Sequence, residues 1–297
     1  MRSYLLAVVA ILVTTVPPSI RGDCAAPSSK CNCRTEYGYD KVYCEDLGSI
    51  SRVPSFTQSS VTYFMLKIMG TTTLPNIQTG AFNGVKLKRL YLVKIGVTTL
   101  QADAFSDLSD TLEELYLHEN AIDTIADTAF NGLHKLRDLS LRNNHLNVVS
   151  SVWFKQLSAL LNLELNDNYI ETIADGFFNG IKQIGQLDLS NNRLKIVSAA
   201  WFHKMTALSS LYLAGNQIET IQEDTFHGLH QLRELKLSDN PFVCDCNLSW
   251  VRKLTEILND VPLCASPPAV KNTRVIFYDI SLCTATTSEP GNVCVNV

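Results

Sequence analysis

Two hundred and ninety-seven residues, 46% of them hydrophobic, are enough for two domains or one long repeat array, and they exclude a disordered chain. Twenty-five basic against 29 acidic residues leave a formal charge of −4, which argues against the broad basic face of a general nucleic-acid binder.

At the amino terminus, Arg2 precedes an apolar run from Leu5 to Val13, which Pro17, Pro18 and small residues up to Gly22 then close. Charge, run length and break are those of a secretory signal peptide over residues 1–22. The run is too short to span a bilayer, no other stretch reaches 18 apolar residues, and Glu289 to Val297 lack an apolar anchor tail. The expectation is a secreted, extracellular protein with no membrane anchor.

All nine cysteines cluster at the ends: Cys24, Cys31, Cys33 and Cys44, then Cys244, Cys246, Cys264, Cys283 and Cys294. In an exported chain such clusters read as disulfides rather than zinc sites, so no metal or other cofactor is expected. Cys31 and Cys33 point to opposite faces of an extended chain, so each must reach Cys24 or Cys44. By the same reasoning Cys244 and Cys246 reach Cys264 and Cys283.

Between the clusters the sequence repeats. The segment Leu112-Glu-Glu-Leu115-Tyr-Leu117-His-Glu-Asn120-Ala-Ile122 recurs from Leu136, Leu160, Ile184, Leu208 and Leu232, always 24 residues on. A degenerate copy starts at Leu87, with Ile95 in place of the asparagine, and a weaker one at Val61. The pattern is that of the leucine-rich repeat. Leu115 and Leu117 alternate with polar residues and so face inward from a short strand. Inward Asn120, Asn144, Asn168, Asn192, Asn216 and Asn240 would be costly unless their amides bond the backbone of adjacent coils in a ladder. Phe82, Phe105, Phe130, Phe154, Phe178, Phe202 and Phe226 should stack into an aromatic spine on the convex side. The expected fold is α/β, a leucine-rich repeat solenoid or horseshoe with a concave parallel β-sheet and disulfide-bonded caps at both ends.

One coil cannot bury its own leucines, so the ends of the stack need caps. Cys24 to Cys44 with Val53-Pro54-Ser55 resembles the amino-terminal flanking module of extracellular leucine-rich repeat proteins. Asn240-Pro241-Phe242-Val243-Cys244-Asp245-Cys246-Asn247-Leu248-Ser249-Trp250 resembles their carboxy-terminal module. Val251, Leu254, Ile257 and Leu258 suggest a short amphipathic helix from Trp250 to Leu258. The resulting organisation is a signal peptide (1–22), an amino-terminal cap (23–60), seven or eight repeats (61–239), a carboxy-terminal cap (240–283) and a flexible tail (284–297). The resemblance implies the pairs Cys24–Cys33, Cys31–Cys44, Cys244–Cys264 and Cys246–Cys283. With its 24-residue repeats, compact caps and Val42-Tyr43-Cys44, the chain looks most like the variable lymphocyte receptors and related immune proteins, which implies antigen or microbial-pattern recognition.

No nucleophile elbow, phosphate loop or His-Glu-x-x-His motif occurs, and His227 and His230 fall in a connector, so the chain is not expected to be an enzyme. A binding face is expected instead. Strands about 4.8 Å apart over about eight coils give a surface roughly 40 Å long. Its candidate ligand-binding residues are Arg89 and Tyr91; Glu114, Tyr116 and His118; Asp138 and Arg142; Asn162, Glu164 and Asn166; Gln186 and Asp188; Ser210 and Tyr212; and Lys236. Val93, Lys94, Glu119 and Ser140 are also expected to face outward. Six carboxylates and one arginine between Glu114 and Asp188 make its middle acidic, which suits a basic protein epitope or a neutral glycan, as on a microbial surface, and disfavours polyanions. The alternative is an extracellular adhesion, matrix or growth-factor-binding protein on the same scaffold. Asn247-Leu248-Ser249 is the only Asn-x-Ser/Thr sequon, set in a cap hairpin. Cys294 has no cap partner; in an oxidising compartment it would form an intermolecular disulfide, joining two copies, or a small-thiol adduct.

Overall fold

The computed structural model describes residues 31–36, 39–49, 64–83 and 86–277. The signal segment, Cys24, Cys283 and the tail with Cys294 lie outside the described residues, as do the pairs Cys24–Cys33 and Cys246–Cys283. The chain divides into two compact units, one running to Leu146 with Ser150–Glu164, the other comprising Asn147–Val149 and the residues from Leu165 on.

In the first unit β1 (Cys31–Glu36) and β2 (Tyr39–Glu45) form an antiparallel hairpin that starts the sheet. Cys31 lies directly opposite Cys44 in that hairpin, and the two are disulfide-bonded. β3 (Phe64–Met69) pairs parallel with β2. A minor strand, β4 (Asn76–Ile77), follows, and then β5 (Arg89–Leu92) on the main sheet and β6 (Thr99–Leu100) on the minor one. The alternation continues with β7 (Glu114–Tyr116), β8 (Thr124–Ile125), β9 (Asp138–Ser140) and β10 (Asn162–Glu164). The main strands run in the order β2-β3-β5-β7-β9-β10, and β4-β6-β8 form a three-stranded sheet on the other side of the coil. Leu66, Leu90, Leu115, Leu139 and Leu163 share one register row and are fully buried.

The second unit repeats this plan with β11 (Gln186–Asp188), β12 (Ser210–Tyr212) and β13 (Glu234–Lys236), all parallel. β14 (Phe242–Val243) and β15 (Cys264–Ser266) close it, and the disulfide Cys244–Cys264 ties them. Among the described residues α-helix is confined to Ala199–Phe202, and 3-10 turns fill the other connectors. The expected helix from Trp250 to Leu258 is instead a 3-10 helix over Cys246–Leu254. Its end is set by the sheet: Leu235 N–H donates to the Ile257 carbonyl at 2.7 Å and Leu258 bridges to Leu235, which pulls these residues out of the helix. Asn247 therefore sits on helical backbone rather than in a hairpin. Asp260 ends the sheet by accepting from Leu237 N–H (2.7 Å) and Ser238 N–H (3.1 Å), a role the sequence pattern did not reveal.

The asparagine ladder forms. Asn144 Oδ1 accepts from Ile122 N–H at 3.0 Å, while its Nδ2 donates to the Leu117 and Leu141 carbonyls. Asn192, Asn216 and Asn240 make equivalent bonds in the second unit. The ladder stops at Ile95, which is fully buried. The spine forms as well. Phe105 stacks between Phe82 (5.8 Å) and Phe130 (6.0 Å), and in the second unit Phe202 and Phe226 continue onto Trp250.

The residue before each ladder position, namely Lys94, Glu119, Asn143, Asp167, Asn191, Gly215 and Asp239, has φ between 52° and 67°. This left-handed residue turns the chain out of the strand and limits most main strands to three residues. At Gly215 a Cβ would collide with the Asn191 side chain.

Candidate functional site: the strand face

Because inward leucines alternate with outward residues, register alone fixes which outward side chains become neighbours. In the first unit one row reads Lys41, Met65, Arg89, Glu114, Asp138 and Asn162. The next reads Tyr43, Lys67, Tyr91, Tyr116, Ser140 and Glu164.

Tyr91 and Tyr116 stack in this second row with ring centroids 4.4 Å apart and planes 9° from parallel. Both hydroxyls donate to the same oxygen of Glu114, at 3.3 and 3.5 Å, and Arg89 Nε bonds its other oxygen at 2.9 Å. Burial and then the Glu114 carboxylate push the Tyr91 phenol up to about 12, and the same two causes raise Tyr116. Both phenols therefore stay protonated and remain donors at physiological pH. Lys67 Nζ lies 6.0 Å from the centre of the Tyr91 ring, close to the limit of a cation–π contact. The stack and the shared Glu114 hydrogen bonds hold both side chains in one arrangement.

Beyond Tyr116 the carboxylates do not stand alone. Arg142 lies between Glu119 (3.8 Å) and Glu164 (3.7 Å), Ser140 Oγ donates to Glu164 at 2.7 Å, and Asn162 bonds Asp138. Ser140 is buried beneath this cluster rather than presented outward, and Val93 is buried as well. On β2, β3, β5 and the turns that follow them, Lys41, Lys67, Arg89 and Lys94 outnumber Asp40, Glu45 and Asp46 by only one. On β7, β9, β10 and the turns after β7 and β9, Glu114, Glu119, Asp138 and Glu164 outnumber Arg142. Charge is thus nearly balanced on β2, β3 and β5 and acidic on β7, β9 and β10, and the Tyr91–Tyr116 stack spans the change.

His118 packs edge-on to Tyr116 at 6.2 Å and its side chain is only 15% exposed. Its Nδ1 is buried with no hydrogen-bond partner among the described residues. Burial first, and Arg142 second, hold its pKa below 6.5, against the opposing pull of Glu119 and Glu164. A depressed native pKa means that the unfolded chain takes up a proton before the folded one does. Stability from this residue is therefore full above about pH 6.5 and is lost as pH falls toward the native value. His118→Gln should flatten this part of the pH profile, read as the urea midpoint between pH 7.5 and 5.5. An identical acid slope in both proteins would show that His118 does not carry it.

In the second unit Tyr212 repeats the arrangement: its hydroxyl donates to Glu234 at 2.6 Å, and Lys236 Nζ lies 4.5 Å from its ring centre. Burial and that hydrogen bond raise the Tyr212 phenol. Gln186 and Asp188 stand beside Ser210 and Tyr212 in register, half-exposed. Asn166 donates to Asp167 at 2.6 Å. His227 and His230 are exposed in their connector. Tyr43, Lys41 and Lys67 were missed in the sequence because they precede the regular copies; the alternation of outward residues with buried Val42 and Leu66 is the signal that could have placed them.

A family model of the leucine-rich repeat matches residues 85–146, 110–170, 135–194, 160–218 and 186–242, an unbroken run over more than half of the chain. The chain belongs to the leucine-rich repeat family. No curated protein matches it. Among solved structures it is similar to human 5T4 (Wnt-activated inhibitory factor 1, trophoblast glycoprotein), at 25% identity and a TM-score of 0.69, over 84% of this chain and 96% of that one. It is also similar to TLR13 in its complex with ssRNA13, at 26% identity and a TM-score of 0.59, over 68% of this chain. That likeness spans only 30% of the TLR13 chain. The fold is that of a ligand- or protein-binding scaffold, and its disulfides fit an oxidising, extracellular setting. Among the described residues no helix is long and apolar enough to cross a membrane.

Proposed function

We propose that the protein is a secreted recognition protein of the immune type, which binds a protein or glycan ligand on microbial surfaces through its strand face. The observation that carries this reading is the Tyr91–Tyr116 stack, held by Glu114 and Arg89 in a fixed, accessible position. Rigid tyrosines supply large contact area at low entropic cost, as binding faces require. The repeat spacing and caps, which resemble those of variable lymphocyte receptors, support the immune assignment. A second reading, an adhesion or growth-factor-binding protein, is favoured by the likeness to human trophoblast glycoprotein over nearly all of that chain.

The test is to probe intact microbes, a glycan array and tissue matrix with the wild type and with Tyr91→Ala/Tyr116→Ala. Loss of an aromatic anchor costs about 2 kcal/mol, so the double variant should bind its target at least ~30-fold more weakly. Undiminished binding would overturn the strand-face reading. Binding confined to matrix would overturn the immune one.

A further inference from the structure

We propose that His118 is an acid-operated catch on the tyrosine pair: when its ring takes up a proton it leaves Tyr116, the Tyr91–Tyr116 stack loosens, and the strand face releases its ligand. The release rests on the reading above, because it concerns the same face. Tyr116 touches two rings, Tyr91 with centroids 4.4 Å apart and His118 edge-on at 6.2 Å. Its hydroxyl reaches Glu114 only at 3.5 Å, the outer limit of a hydrogen bond. Ring contacts therefore hold Tyr116 more firmly than that bond does. The phenols themselves do not titrate near neutral pH, since burial holds both above their usual value.

The surroundings of His118 fit a neutral imidazole. Nδ1 is buried with no hydrogen-bond partner among the described residues, and Nε2 lies 3.9 Å from Glu119. An imidazolium carries a donor on each nitrogen. Here one donor would meet no acceptor and the other none within hydrogen-bonding distance, which makes the buried charge costly. The charges around the ring do not offset this cost. Glu119 in the same turn and Glu164 on β10 favour the proton, whereas Arg142, from the turn after β9, and Lys67 on β3 oppose it. Both carboxylates also face Arg142, at 3.8 and 3.7 Å. Lys94, whose backbone N–H donates to the His118 carbonyl, is exposed. A protonated ring therefore gains most by swinging into water, and that movement removes the edge contact behind Tyr116. A ligand that needs the stack binds only the unprotonated form. With one proton exchanged, acid weakens binding by at most about tenfold per pH unit.

The first test reads the rings without a ligand. Carbon-13 histidine and tyrosine signals of the whole protein are followed by NMR from pH 7.5 to 5.0, with His118→Gln, Tyr91→Phe and Tyr116→Phe assigning them. The Tyr91 and Tyr116 signals should move with the midpoint of His118 and stay still in His118→Gln. Arg142→Gln removes an opposing cation and should raise both midpoints together, a result that also serves if His118→Gln unfolds. Release is read with disulfide-closed loops selected at pH 7.5 from a displayed library lacking histidine, keeping those that Tyr91→Ala/Tyr116→Ala no longer binds. Each protein's affinity at pH 5.0 is compared with its own at pH 7.5. The wild type should lose at least ~3-fold and His118→Gln less than ~1.5-fold. Tyrosine signals that stay still while His118 titrates, or that move equally in His118→Gln, would overturn the inference. So would equal acid weakening of loop binding in both proteins. Insensitivity of the natural target to Tyr91→Ala/Tyr116→Ala would instead overturn the strand-face reading, and it would leave the movement of the rings untouched.

Discussion

Replacing Asn144 with alanine is expected to destabilise the protein by about 3–5 kcal/mol, although the side chain touches no ligand and carries no charge. Asn144 is 2% exposed and accepts from Ile122 N–H at 3.0 Å. It donates to the carbonyls of Leu117 (3.0 Å), Leu141 (3.0 Å) and Arg142 (3.2 Å). Alanine fills none of these roles and strips a buried N–H of its partner, which alone costs about 1–3 kcal/mol. The bonds tie one coil to the next, so the damage should be read as faster hydrogen exchange at Ile122 as well as a lower urea midpoint. Asn162→Ala is the control, because that residue lies on the half-exposed face and should cost less than about 1 kcal/mol. If the two variants melted together, the ladder would not be the device that joins the coils.

Phe105→Ala should cost about as much, roughly 3–5 kcal/mol, by a different route. Phe105 is completely buried, with Phe82 at 5.8 Å and Phe130 at 6.0 Å on its two sides. Truncation leaves a cavity that two stacked neighbours from separate coils cannot both collapse into. Phe105→Leu refills most of the volume and should recover about half of the loss. The measurement is chemical unfolding of the three proteins. A loss below about 1 kcal/mol for the alanine variant would mean that the connectors relax freely and that the spine is not a core.

These predictions concern features that were legible in the sequence. A 24-residue period with a fixed asparagine and a fixed phenylalanine identifies residues that must meet their own copies in adjacent coils, and no coordinates are needed to see that. The disulfide Cys31–Cys44 was one of two partners the extended geometry of Cys31 allowed, and the family pattern selected it. The left-handed turn residues were partly legible too: Asn143, Asp167, Asn191, Gly215 and Asp239 are the types that tolerate that region, whereas Lys94 and Glu119 are not. Only their position in the coil assigns these two to the same turn.

The sequence by itself therefore determined the family, the inward core, the ladder and the spine. Tertiary structure decided which outward residues touch. Tyr91 and Tyr116 lie 25 residues apart, off the 24-residue period, yet the strands align because the connector absorbs the extra residue. That alignment brings both hydroxyls to one Glu114 oxygen and leaves the carboxylates beyond it to Arg142 and Ser140. It also buries Val93 and Ser140, and it adds Lys67 from the weaker copy that starts at Val61. The physical reason is that a repeat constrains inward residues identically in every coil, because each meets the same neighbours. An outward residue meets different neighbours in every coil, and only the register of the strands chooses them.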